Sequence, residues 1–307
     1  MQMWWKSWRW PLVASLIAAA WVAAAELALR GRYRRRVLPR GARAPGQVTV
    51  VALGDSIVAG APGPATHAWP TLLAERLQAA YPDIAWRVIN AGVSGDTAPQ
   101  GYTRFDRDVA AAGPQIVLIG FGLNDCHPAR HGMDRWFEGD VPRGLARGYL
   151  WRALQVRVAR WGRRAGWWPP REPEGESVAR PRTSPAGFAN ALATLVARTR
   201  TLGARPVLLT MTPLAATRTA GVDVRLETYP RYNTAIRTCT AHERALLVDL
   251  SVGAPAAESS AADDSAGAFE PDGFHLTAVG QAWVAGQVFG QLDAAGVWRR
   301  LAAEDRR

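Results

Sequence analysis

Ser56, the last residue of the tripeptide Gly54-Asp55-Ser56, is the clearest candidate for a catalytic group in this sequence. The tripeptide follows the mostly apolar run 48–53, whose composition predicts a buried strand. A serine in this position lies at the carboxyl edge of the predicted sheet, where open α/β sheets bind their ligands. The tripeptide alone is also typical of a turn or a helix N-cap. A nucleophilic serine needs a base, a group that orients the base, and donors for an oxyanion.

A base and its orienting group occur together far downstream, in Asp272-Gly273-Phe274-His275. This spacing lets the Asp272 carboxylate turn back onto the His275 imidazole and fix its tautomer, the role of the third member of a catalytic triad. Taken alone, the four residues are more typical of a loop with a capping aspartate and a surface histidine.

Two segments between them contain groups that could bind an oxyanion. Gly92 follows the strand-like run 85–89, and a glycine there lets backbone approach a substrate and leaves its N–H free to donate. Asn124 follows the run 115–121, and its amide is a donor of the type that stabilises tetrahedral intermediates. Each segment alone is more typical of a turn, but the order of all four segments favours a single site.

These segments resemble, in order, the four blocks of the SGNH (GDSL) hydrolases, and the blocks are Gly54-Asp55-Ser56, Gly92, Gly122-Leu123-Asn124-Asp125 and Asp272-x-x-His275. Over residues 48–125 the sequence is most similar to the bacterial thioesterase/lysophospholipase branch. Leu123 and the pair Cys126-His127 depart from that branch, which bears on the substrate and not on the chemistry.

The resemblance implies a role for each residue. Ser56 would be the nucleophile, His275 the general base and then the general acid, and Asp272 its orienter. The backbone N–H groups of Ser56 and Gly92 and the side chain of Asn124 would form the oxyanion hole. No metal and no cofactor are expected, since no Cys/His cluster has the spacing of zinc ligands.

Apolar strand-like runs alternate with helix-like stretches from residue 47 onward. The strands are predicted at 47–53, 85–89, 115–121, 205–211 and 245–250, and the helices at 69–80, 99–112, 185–202, 230–243 and 277–293. Apolar strands separated by helices predict a five-stranded parallel sheet with helices on both faces. The resemblance implies the same three-layer α/β/α, flavodoxin-like architecture, as a hydrolase domain over residues 47–300.

This domain is predicted to contain an insertion rich in Arg and Trp at about 127–183. Within it, residues 142–168 carry apolar side chains at mostly helical spacing with arginines interleaved. A basic amphipathic helix with tryptophans is typical of a membrane interface. A helix packed on the catalytic domain with a solvated basic face is an equally good interpretation.

Residues 1–36 are predicted to be a membrane anchor or signal segment with a basic flank, and residues 37–46 a linker. The run 10–29 has Glu26 as its only charge and is long enough to form a transmembrane helix. The alanines at 23–25 offer a signal-peptidase site, but the length of the run favours an uncleaved inner-membrane anchor. The positive-inside rule predicts a cytoplasmic catalytic domain, whereas the resemblance implies a periplasmic one.

Composition narrows the class of protein. Of 307 residues, 48% are hydrophobic and 21% charged, a globular balance. The net charge of +11 is mostly arginine, and no zinc-finger, helix-turn-helix or RNA-binding signature accompanies it, so a membrane surface is favoured over nucleic acid. Two cysteines are too few for a disulfide-built scaffold.

The sequence therefore predicts a membrane-anchored serine hydrolase that cleaves carboxylic esters or thioesters of acyl lipids through an acyl-enzyme. The enzymatic alternative is an O-acetyl esterase acting on a carbohydrate or cell-envelope polymer. The non-enzymatic alternative is an anchored module that binds acyl chains or glycans. The partners expected are an acyl-ester substrate and membrane lipid, and the oligomeric state is not predicted.

Overall fold

The fold is taken from a computed structural model, which describes residues 20–25, 27–28, 46–127, 181–214, 223–255 and 267–305. Every strand and helix numbered below belongs to one unit, formed by residues 40–139 and 179–307.

Five parallel strands form the sheet. They are β1 (Gln47–Gly54), β2 (Ala85–Gly92), β3 (Ile116–Gly120), β4 (Arg205–Leu209) and β5 (Leu246–Val248). Their order is β2-β1-β3-β4-β5, and every pairing is parallel. This confirms the predicted five-stranded parallel sheet, and the order is that of flavodoxin-like folds.

Helices connect the strands. They are α1 (Ser56–Ala59), α2 (Trp69–Ala80), α3 (Ala98–Thr103), α4 (Phe105–Asp108), α5 (Pro185–Thr201), α6 (Asp223–His242), α7 (Ala278–Ala294) and α8 (Val297–Asp305). The single helix predicted over 99–112 is wrong, because the chain breaks between α3 and α4 at Arg104, where φ is −105° and ψ is 4°. The sequence did not predict α1 or α8.

Apolar side chains cover both faces of the sheet, since every residue of β1 from Val48 to Gly54 is buried. On one face, Trp69 of α2 and Trp298 of α8 belong to one apolar cluster with alternate residues of β1. Two other helices, α5 and α6, pack against each other, and the rings of Phe188 and Tyr232 lie 5.0 Å apart. Burial of both faces fixes the strand register and hence the positions of the strand ends.

The predicted membrane anchor falls mostly outside the described residues. Residues 20–25 and 27–28 are helical, and Trp21 and Leu27 expose 73% and 66% of their surface. Within the described part of the chain, no helix is long and apolar enough to cross a membrane. The anchor, the linker at 37–46 and nearly all of the insertion at 127–183 therefore stay predictions.

Candidate active site

The strand register brings the segments after β1, β2 and β3 to one edge of the sheet. Gly54, the last residue of β1, is paired with Gly92 of β2 and with Gly120 of β3. Ser56 then begins the short helix α1, which Asp55 caps by accepting the Ile57 N–H at 2.9 Å. The cap turns the chain sharply at the strand end, so that Ser56 stays at the carboxyl edge.

Ser56, His275 and Asp272 form one hydrogen-bonded chain. The Nε2 atom of His275 lies 3.0 Å from Oγ of Ser56, across 219 residues of sequence. Its Nδ1 atom lies 2.5 Å from Oδ2 of Asp272. The Oδ1 atom of Asp272 also accepts the backbone N–H groups of Phe274 and His275, at 3.1 and 2.9 Å. The structure therefore brings together the three residues predicted for the triad.

The charge of Asp272 decides the tautomer of His275. Burial raises the pKa of Asp272, but hydrogen bonds from the His275 backbone and ring and from the Phe274 N–H outweigh it and hold the pKa below its ordinary value. The group is thus a carboxylate at neutral pH. An anionic acceptor at Nδ1 keeps the imidazole proton on that nitrogen, which leaves Nε2 to accept the proton of Ser56.

Asn124 reaches the same edge from the segment after β3. Its Nδ2 atom donates to the Asp96 carbonyl at 3.1 Å and, at 3.4 Å, to Oδ2 of Asp55. Its Oδ1 atom accepts from Nη1 of Arg182 at 3.4 Å. The amide is therefore held between the turn after β2 and the residue before Ser56, while its part in an oxyanion hole stays a prediction.

The expectation that the Gly92 N–H is free is wrong. It donates to Oδ1 of Asn90 at 2.9 Å, because the Asn90 amide folds back over the next two residues. A Cβ atom at position 92 would lie 2.2 Å from the backbone nitrogen of Ala59. The glycine is therefore needed for the close approach of α1 to β2, and a role in oxyanion binding would require Asn90 to swing away.

Gly95 is a second glycine in the same loop, and the sequence interpretation missed it. It lies in a turn closed by the Asp96 N–H and the Val93 carbonyl at 3.1 Å, and its φ of +84° favours glycine. The Asp96 carbonyl that holds Asn124 belongs to this turn. The run Ser94-Gly95-Asp96 is typical of a turn with positive φ and could have indicated this position.

Arg104 is a buried cation behind the site that sequence reasoning also missed. Its guanidinium donates to the carbonyls of Gly54 and Ala91, at 2.8 and 2.6 Å. It also forms ion pairs with Asp96 at 2.7 Å and with Asp108 at 2.9 Å. It therefore ties the ends of β1 and β2 to the turn that holds Asn124.

Arg104→Met is expected to lower the free energy of unfolding by about 3–5 kcal/mol, because it removes the cation shared by two buried carboxylates. Urea unfolding measures the loss. Arg107→Met is the matched control, since Arg107 pairs with the same Asp108 but is 27% exposed. It should cost less than Arg104→Met, because Asp108 keeps its ion pair with Arg104 in that variant. A loss in Arg104→Met no larger than that in Arg107→Met would mean that Arg104 stabilises the fold no more than a partly exposed arginine does.

Two buried carboxyls beside the site have raised pKa values. Burial raises the pKa of Asp55 from 3.8 to about 7, against the Ile57 N–H, which lowers it. Burial likewise raises the pKa of Asp125 to about 6, against hydrogen bonds from the Thr183 side chain and the Ala98 N–H. Both groups therefore hold protons in the folded protein at pH values where the unfolded chain has released them.

This sets a pH dependence of stability. Since the folded state binds more protons than the unfolded state between about pH 4 and pH 7, the free energy of unfolding should fall as pH rises through that window. Asp55→Asn removes one of the two groups, so urea unfolding at a series of pH values should give a shallower fall. Asp106→Asn, at an aspartate that is 74% exposed, should keep the wild-type slope. An unchanged slope in Asp55→Asn would contradict the assignment.

An apolar cavity lies beside the turn that carries Ser56. It is lined by Asp55, Ile57, Phe121, Met211 and Tyr229, among others. Its volume of about 30 Å³ has room for about two water molecules.

The described residues offer no obvious metal site. Across the described ranges, no group of three or more His, Cys, Asp or Glu side chains could hold a metal ion. Cys126 and Cys239 are both buried, and neither forms a disulfide.

Comparison with known proteins supports the resemblance to the SGNH (GDSL) hydrolases. The model of the GDSL-like Lipase/Acylhydrolase family matches residues 52–283. Thioesterase 1/protease 1/lysophospholipase L1 of Escherichia coli K12 is 39% identical over 83 residues, which are 27% of this chain and 38% of that protein. An acetylxylan esterase of Geobacillus stearothermophilus is 38% identical over 66 residues, 22% of this chain and 26% of that protein. The matched segments thus span less than two-fifths of these relatives.

Solved structures share the fold over a longer range. A lipase/acylhydrolase from Enterococcus faecalis superposes with a TM-score of 0.53 at 18% identity, covering 81% of this chain and 97% of that one. A catalytic mutant of an acetylxylan esterase from Geobacillus stearothermophilus gives 0.52 at 19% identity, covering 80% and 95%. At such identities the likeness concerns the fold alone.

Proposed function

Because the chain belongs to the GDSL-like lipase/acylhydrolase family, we propose that it is a serine hydrolase that cleaves carboxylic esters or thioesters through an acyl-enzyme. The observation that carries the proposal is the hydrogen-bonded chain from Asp272 through His275 to Ser56 at the carboxyl edge of the sheet. A base 3.0 Å from a serine hydroxyl, with an anion behind it, is the arrangement that activates a serine.

The chain of groups defines each proton transfer. Oγ of Ser56 attacks the acyl carbon while its proton moves to Nε2 of His275, and Asp272 stabilises the imidazolium that forms. The imidazolium then protonates the leaving alcohol or thiol, which departs and leaves the acyl group on Ser56. Water attacks this ester with His275 as its base, and the acid is released with the serine restored.

The oxyanion needs donors at the same edge. Asn124 supplies Nδ2, which would exchange its longer contact, with Oδ2 of Asp55 at 3.4 Å, for the oxyanion. The Ser56 N–H lies at the start of α1, where backbone N–H groups point outward. For a third donor, Gly95 is a better candidate than the predicted Gly92, since the Gly92 N–H already has a partner in Asn90. Together these donors would stabilise the negative charge on the former carbonyl oxygen.

Acyl lipids are the leading substrate class. The match with a protein named as a thioesterase and lysophospholipase supports this class. A net charge of +11 favours approach to anionic lipid surfaces.

O-acetyl groups on a carbohydrate are the second candidate. The match with an acetylxylan esterase supports the same candidate.

A hydrolysis panel on the purified, detergent-solubilised chain tests the proposal. The panel contains p-nitrophenyl esters from acetate to palmitate, a lysophospholipid, palmitoyl-CoA and an acetylated xylo-oligosaccharide, with Ser56→Ala as the background. The highest kcat/KM on long acyl substrates would support the lipid class, and the highest value on the acetylated sugar would support the alternative. Hydrolysis no faster than with Ser56→Ala on every substrate would leave the binding module as the better interpretation.

Membrane attachment is a separate proposal, supported by the apolar run 10–29 and by the exposed helical residues Trp21 and Leu27. The full chain should sediment with membranes, and deletion of residues 1–44 should release an active enzyme, because β1 begins only at Gln47. Fractionation followed by an esterase assay measures both outcomes. Protease treatment of spheroplasts distinguishes a periplasmic from a cytoplasmic catalytic domain. A full chain found wholly in the soluble fraction would contradict the anchor.

A further inference from the structure

Backbone hydrogen bonds fix Arg182 beside the segment that follows β3. The Arg182 N–H donates to the His127 carbonyl at 2.9 Å, and the Thr183 N–H donates to the Asp125 carbonyl at 3.1 Å. The Thr183 carbonyl in turn accepts the hydroxyl of Tyr232 from α6. Arg182 is therefore held at its backbone directly opposite the residues that follow Asn124.

The side chain of Arg182 reaches two groups of the candidate oxyanion site. Nη1 donates to Oδ1 of Asn124 at 3.4 Å, and Nη2 donates to the Gly95 carbonyl at 3.1 Å. One half-buried guanidinium thus joins the amide after β3 to the turn after β2. No other described side chain bridges Asn124 and Gly95 in this way.

The chemistry of the contact determines which end of the Asn124 amide faces a substrate. The two ends of an amide have nearly the same shape, but only the nitrogen can stabilise an oxyanion. A guanidinium has donors and no acceptor, so it pairs with Oδ1, while the Asp96 carbonyl accepts only from Nδ2. The two contacts therefore select the same amide orientation from opposite ends.

The charge of Arg182 acts in the same direction. It lowers the pKa of the neighbouring Asp125 carboxyl, against the larger effect of burial, which raises it. A positive charge at this place also favours an oxyanion, and a cationic donor at Oδ1 polarises the amide and strengthens its N–H donors. Both effects grow as negative charge develops on the substrate.

We propose that Arg182 is a positioning residue of the oxyanion hole, which holds Asn124 with Nδ2 toward the reacting carbonyl and strengthens it as a donor. The inference rests on the proposed function and deepens it. Arg182 acts through Asn124, so its loss should lower kcat and leave KM nearly unchanged. The expected fall for Arg182→Met is about tenfold to a hundredfold, less than the usual cost of losing the donor itself.

A double-mutant cycle tests the proposal on the full chain, with the ester that the wild type hydrolyses fastest. Arg182→Met should lower kcat strongly in the wild type but by less than about threefold in the Asn124→Ala background, since residues that act as a unit are not additive. Arg182→Lys, which keeps the charge, should recover part of the loss. Arg198→Met is the control, because Arg198 is similarly exposed and pairs with Asp106 away from the site.

The outcomes separate the two proposals. Wild-type protein that hydrolyses no ester would overturn the proposed function and this inference with it. An active wild type with full kcat in Arg182→Met, a change in KM alone, or a fall that multiplies fully with that of Asn124→Ala would overturn the inference only. If thermal melting shows that Arg182→Met does not fold, Arg182→Gln carries the same comparison, since it keeps a polar side chain but is too short and uncharged to replace the Nη1 and Nη2 contacts.

Discussion

Ser56→Ala and His275→Ala are each expected to lower kcat by roughly 10⁴ to 10⁶, because each removes one end of the proton transfer across the 3.0 Å contact. The double variant should be hardly worse than either single one, since the two groups work as a unit. Steady-state kinetics on the best ester measures all three variants, and thermal melting checks that they fold.

His242→Ala is the matched control. The His242 side chain is 82% exposed and contacts Glu243, not a residue of the triad. It should keep wild-type kcat. If Ser56→Ala retained most of its activity with Cys126 intact, Ser56 would not be the nucleophile.

Asn124→Ala is expected to lower kcat by roughly 10²–10³ with little change in KM, the usual cost of one oxyanion donor. The reason is that the donor gains strength only when negative charge develops on the carbonyl oxygen, so its loss affects the transition state more than substrate binding. The kinetic constants of the purified variant measure the effect. Asn190→Ala, at an exposed position of α5, is the control and should keep both constants.

A variant with raised KM and unchanged kcat would make Asn124 a substrate-binding residue instead. The contacts of Nδ2 with the Asp96 carbonyl and with Asp55 are compatible with oxyanion stabilisation and with substrate binding. The separate effects on kcat and KM distinguish these two roles.

The triad was predicted because its residues match the blocks of the SGNH hydrolases, and the Asp272–His275 part of its geometry is local. Asp272 and His275 are separated by two residues, so the hydrogen bonds between them close within one loop. Ser56 follows a strand whose apolar composition is plain in the sequence, and the parallel sheet was predicted on the same basis. Burial on both faces then fixes the register that aligns the strand ends.

The roles of the two arginines could not be predicted, because each binds backbone carbonyls of other segments of the chain. Arg104 binds the carbonyl of Gly54, 50 positions away, and Arg182 binds that of Gly95, 87 positions away. A carbonyl has no signature in the sequence, so nothing near Arg104 or Arg182 indicated these contacts. The break between α3 and α4 went unpredicted for the same reason, because it occurs where Arg104 turns inward to reach the strand ends.

The prediction for Gly92 was wrong for a different reason. The sequence predicted that Gly92 would allow close approach to a substrate, whereas the structure uses this glycine, at the end of β2, for the close approach of Ala59. The Gly92 N–H is taken by Asn90, whose short amide competes for nearby backbone groups as asparagine commonly does. The need for a glycine and the availability of its donor are therefore separate questions.

Labelling with a fluorophosphonate tests the central claim most directly, since the reagent phosphonylates only a serine activated by a neighbouring base. The full chain is treated with the probe, digested, and the modified peptide identified by mass spectrometry. The account predicts a single label on Ser56, absent in Ser56→Ala and strongly slowed in His275→Ala. A native protein that takes up no label, or a label that persists in Ser56→Ala, would contradict it.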